Sequence, residues 1–140
     1  MASPSINIRA AKGLDAELAA RGDSINEVAL RELRRLFAMY DMTLQEEVHL
    51  SEGEWSFLRD LLNGTFRDEN CARYLWAEVQ DADEVMDEKW GVRRDVLSSQ
   101  LREMSAFQRL AIVDAVDRWW RAQRQEAVPG DDESNVPGSQ

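Results

Sequence analysis

Ser5, Asn7 and Arg9 stand at alternate positions of Ser5-Ile-Asn-Ile-Arg9. In an extended strand this spacing puts the three polar side chains on one face and Ile6 and Ile8 on the other. All three have chemistry for reading base edges. An arginine donates a pair of hydrogen bonds to guanine, an asparagine pairs in the same bidentate way with adenine, and a serine adapts to either. A single strand leaves its own N–H and C=O groups without a ladder. Only the weaker alternation of Leu44-Gln-Glu-Glu-Val-His-Leu50 compares with it elsewhere, so a second copy of the chain is the expected source of the pairing strand.

Other chemistries find little material. Asp81 and Asp83 have the opening spacing of a calcium loop, but its sixth position is Met86 where a glycine is needed and its twelfth is Val92 where a glutamate is needed. His49 is the only histidine and Cys71 the only cysteine, with no clustered zinc ligands beside them. Cys71 falls on the apolar side of a predicted helix, the setting of an inert thiol. No phosphate-binding glycine loop or nucleophile elbow is present. The expectation is no metal, no cofactor and no enzymatic activity. The five tryptophans all lie after residue 50. Most are expected in the core, where each buries a large area. Trp119 and Trp120 are adjacent, so a helix cannot point both the same way, and Trp90 stands in the non-periodic turn Lys89-Trp-Gly91. These three are the candidate anchors for a protein partner.

The elements that carry these residues read as helices. Ala11, Leu14 and Leu18 are spaced for a short helix over 13–20, stopped at Gly22. Ser24-Ile-Asn-Glu27 is a capping box, and Ile25, Ala29, Leu33, Leu36, Phe37 and Tyr40 form the stripe of a helix to about Tyr40. Ser51-Glu-Gly-Glu54 opens another, closed at Asn63-Gly64. A fourth starts near Asp68, carrying Cys71, Ala72, Leu75, Trp76 and Val79. An acidic connector over 80–88 precedes a helix over 93–104, and Ser105 caps a last, broadly apolar helix. Residues 128–140 offer nothing to bury and read as a disordered tail.

The order of strand, short helix, glycine turn and capped helix resembles the ribbon-helix-helix DNA-binding proteins of the Arc and MetJ class, on Ser5 to Arg9 and Gly22 to Val28. The resemblance implies that two chains pair their strands into a ribbon that enters the major groove. Ile6, Ile8, Leu33 and Phe37 would then lie in the dimer core. It also implies that the start of the second helix, at Ser24 and Ile25, grips a phosphate with its free N–H groups. The expected fold is mainly α: a ribbon-helix-helix module over 1–41, with one short strand and two helices, then an acidic, all-helical partner-binding region of about four helices over 42–127, then the tail.

Charge divides the same way. Residues 1–41 carry six basic and six acidic side chains, whereas the remainder carries 11 and 21, so the entire net charge of −10 lies beyond Asp41. Such a region repels nucleic acid and attracts a basic protein. No stretch reaches the about 18 apolar residues of a membrane span and no secretory signal is evident, so a cytoplasmic protein without membrane contact is expected. Two functions compete. One is a homodimeric transcriptional regulator on operator DNA, similar to an autorepressing antitoxin whose acidic helices bind a toxin-like or other basic protein. The other is an acidic interaction or inhibitor protein that dimerises through its amino-terminal module without binding DNA.

Arg9→Ala separates them. It abolishes sequence-specific binding to the chain's own promoter DNA in a gel shift at low salt under the first and changes nothing under the second. Both require a dimer, so sedimentation at micromolar concentration should give twice 16.1 kDa, and the mass of one chain contradicts both.

Overall fold

A computed structural model describes residues 14–22, 24–65 and 67–127. They form eight helices in the order α1 (Leu14–Ala19), α2 (Ile25–Glu46), α3 (Glu52–Leu61), α4 (Glu69–Arg73), α5 (Leu75–Gln80), α6 (Val85–Trp90), α7 (Arg94–Glu103) and α8 (Ala106–Ala127). The chain divides into two compact units, 1–42 and 43–140. No described helix is long and apolar enough to cross a membrane.

This corrects the expected fold class. The described residues contain no strand, so the mixed strand-and-helix reading gives way to an all-helical one. Ser5, Ile6, Asn7, Ile8 and Arg9 lie outside the described residues, as does the tail over 128–140. The second alternation, from Leu44 to Leu50, finishes α2 and then turns, with Thr43 O accepting from both Glu47 N and Val48 N. No described segment therefore offers a ladder to a strand. Among the described residues after 42 there are six helices where about four were expected.

In the first unit, Ser24 Oγ accepts from Glu27 N at 3.3 Å to start α2. A Cβ on Gly22 would come within 2.6 Å of Val28 Cγ2, so the turn before α2 closes onto its first buried residue only because this position has no side chain. Val28, Ala29 and Tyr40 are buried. No proline or glycine interrupts 41–46, and α2 runs on to Glu46.

The second unit holds the main core. Phe57, Leu58, Leu62, Leu75, Val79, Leu97, Leu101 and Ile112 are completely buried, with Val113 and Val116 nearly so. Contacts between helices run α5 along α7 and α4 along α8, with α3 touching α5, α6 and α8. Capping boxes at Ser51 with Glu54 and at Ser105 with Gln108 set the starts of α3 and α8.

Arg109 ties three elements together from within α8. Its Nε donates to Ala72 O at 3.0 Å, and its Nη1 donates to Leu101 O at 3.0 Å and Met104 O at 2.7 Å. These carbonyls belong to helix ends; those of Ala72 and Leu101 also accept from the capping N–H groups of Tyr74 and Met104, and Arg109 adds a charged donor to each. Arg109→Met keeps most of the apolar stem and removes the donors. It should lower the unfolding free energy by about 2 kcal/mol or more, read as a shift of the urea midpoint at unchanged slope. A loss under about 0.5 kcal/mol would show that the clamp is not structural.

Candidate functional site

Two consecutive residues near the end of α3 organise a cleft. Asp60 Oδ2 accepts from Trp90 Nε1 at 2.9 Å and from Lys89 Nζ at 2.9 Å, binding α3 to α6. Arg59 O, a carbonyl of the last turn of α3, accepts from Trp120 Nε1 at 2.9 Å and binds α3 to α8. Last-turn carbonyls are the ones a helix leaves open, and this one is satisfied by an indole.

Backbone and charge hold the three helices in register. A Cβ on Gly53 would stand 2.6 Å from Trp90 O, so the first turn of α3 can lie on the end of α6 only because that position is glycine. Gly91 then ends α6 in the left-handed conformation, φ 65°. Arg94, at the start of α7, donates to Asp87 Oδ1 at 2.8 Å and to the carbonyls of Gln80, Ala82 and Asp83. It thus organises the acidic segment that delivers Trp90. On the other side Arg67 bridges Leu62 O and Asp117, two residues before Trp119. Burial disfavours the Asp117 charge, but Arg121 and Arg67 outweigh it and hold that carboxyl below its ordinary range.

The result is an open cleft of about 250 Å³. Ser56, Arg59 and Asp60 come from α3, Lys89 and Trp90 from α6, Trp119 and Trp120 from α8. Trp119 and Trp120 meet edge to face, with ring centroids 4.9 Å apart and planes at 89°. The Arg59 guanidinium lies 4.9 Å over the Trp119 ring and Lys89 Nζ lies 5.1 Å over Trp90, both in cation–π range. Arg59 also pairs with Glu52 at 3.2 Å. A more open depression on α7, lined by Asp95, Val96, Ser99, Gln100 and Glu103, has a single apolar side chain.

All three tryptophans proposed as partner anchors therefore line one cleft. Ser24 and Ile25 start α2, where the Ser24 hydroxyl already accepts from Glu27 N. Leu33 and Phe37, spaced one helical turn apart and so on one face, are 39% and 53% exposed. Ser5, Asn7 and Arg9, with Ile6 and Ile8, are outside the described residues and are brought to no site. Ser56, Arg59, Asp60 and Lys89 were not anticipated, and nor was Gly53. Their only signal is three-dimensional: charged residues on two helices that share the tryptophans' neighbourhood. Cys71 is buried, and burial with the charges of Glu78 and Asp68 pushes its thiol up to about 11. No group of three metal-binding side chains occurs among the described residues.

No family model, curated protein or solved structure matches the chain.

The hydrogen bonds from Lys89 and Trp90 hold the Asp60 carboxyl below its ordinary value of 3.8, against a smaller opposing effect of burial. A carboxyl lowered on folding stabilises fully above its unfolded value and loses that contribution as the pH falls through the folded one. Asp60→Asn keeps an acceptor for Trp90 and deletes the charge. Wild type should exceed this variant in stability at neutral pH, and the gap should close as the pH drops below 3.8. A gap independent of pH would show that the charge is not what holds Lys89 and Trp90.

Proposed function

We propose that the chain is an acidic interaction protein that associates with itself through α2 and receives a protein partner in the tryptophan cleft. The observation that carries the reading is the convergence of Trp90, Trp119 and Trp120, from two helices and a shared α3 wall, on one open cleft. Binding energy in protein interfaces concentrates in rigid aromatic residues that line or fill pockets. Here the indole N–H groups of Trp90 and Trp120 are already satisfied inside the chain, so those two rings are fixed before any partner arrives, and ordering them costs a partner little.

Self-association is supported by α2. A large exposed phenylalanine one turn from an exposed leucine is an apolar face without cover, and pairing such faces is the usual route to a helical dimer. DNA recognition by Ser5, Asn7 and Arg9 gains no support from the described residues, and the ribbon it would need is not part of the reading.

Selection of a displayed random-peptide library on the purified chain tests the docking site. Sequences retained by wild type should be lost on Trp119→Ala and on Ser56→Arg, which fills the cleft from α3 while leaving the rings in place. A library that yields only clones indifferent to both substitutions would overturn the reading.

A further inference from the structure

We infer that the partner segment the cleft receives is basic, seating an arginine or lysine stem against the indole rings beside Asp60, an inference that rests on the reading of the cleft as a docking site.

The rings already display the chemistry. Two of the three carry a cationic side chain of the chain itself at cation–π distance, Arg59 on Trp119 and Lys89 on Trp90. Tryptophan is the strongest of the aromatic partners for a cation, and arginine its commonest one. Long cationic side chains lay their methylene stems on apolar walls while the charged head stays in water, which suits a shallow cleft open to solvent. Asp60 stands at the wall with its Oδ2 taken by Lys89 and Trp90, so its charge balances Lys89 and the pull on a partner's cation comes from the acidic residues beyond the cleft.

The surroundings favour the same sign. Asp81, Asp83, Glu84 and Glu88 are exposed on the stretch leading directly into Trp90. The second unit as a whole has 21 acidic against 11 basic residues. A field of this sign speeds the encounter with a cationic segment and repels an anionic one. The two cations at the cleft do not reverse this, because Lys89 is paired with Asp60 and Arg59 with Glu52. An acidic partner would have to break those pairs to use them.

The test uses two fluorescently labelled synthetic peptides with the same leucine positions on a helical pattern, one with arginine and the other with glutamate at every polar position. Binding to the full chain is followed by fluorescence polarisation at moderate salt. The arginine peptide should bind, Trp119→Ala and Ser56→Arg should each weaken it by about threefold or more, the size expected from one lost ring contact with a solvent-exposed cation, and the glutamate peptide should bind far more weakly. Equal, cleft-dependent binding of the glutamate peptide would overturn the inference and leave the docking site standing. Arginine-peptide binding unaffected by either substitution would overturn it as attraction to the acidic surface at large. Absence of binding by both peptides would overturn it too, while the library selection decides separately whether the cleft docks anything.

Discussion

The arrangement depends on two adjacent acceptors near the end of α3. The carbonyl of Arg59 takes the Trp120 indole and the carboxylate of Asp60 takes the Trp90 indole. Because the two are neighbours in sequence, any shift of α3 moves both tryptophans together. The interaction is effective because each partner removes a liability of the other. A last-turn carbonyl and a half-buried carboxylate need donors, and an indole N–H placed against protein needs an acceptor. The rest of the second unit secures that geometry. Gly53 admits the close approach of α3 to α6, Arg94 gathers the segment before Trp90, and the Arg67–Asp117 pair fixes α8 beside α3.

Rigid rings and satisfied polar groups have a consequence for binding. A cleft whose walls are held by internal hydrogen bonds loses little conformational entropy when occupied. The cations over Trp119 and Trp90 occupy ring faces without closing the cleft. In the proposed reading, specificity comes from sign, set by the acidic stretch before Trp90, more than from shape.

How legible this was in the sequence follows from what each signal encodes. Caps act within one turn, so Ser51 with Glu54 and Ser105 marked their helices to the residue. Apolar periodicity found α7 and the core faces of α3 and α8 because burial imposes it. It failed where burial does not. The break at Tyr74, with φ −111° and ψ 24°, occurs without glycine or proline, so one helix was expected where α4 and α5 stand. The acidic stretch reads as a connector because charge dominates its composition. Its helix α6 is held by the buried Met86 and by Arg94, a residue outside the stretch. That Trp90, Trp119 and Trp120 were candidates was readable from their local placement. That they meet was not, since it depends on an aspartate and a glycine of α3 that carry no motif. The strand expected over Ser5 to Arg9 rested on five alternating residues, and alternation specifies a strand only when a ladder is available to pair with it.

The central claim is that Trp90 and Trp120 are fixed by acceptors on α3 in the unliganded chain. Hydrogen–deuterium exchange of the five indole N–H groups, resolved by NMR, measures this directly. The account predicts that the Trp90 and Trp120 signals persist well beyond the exchange time of a free indole. Exchange of both at the free-indole rate would contradict it.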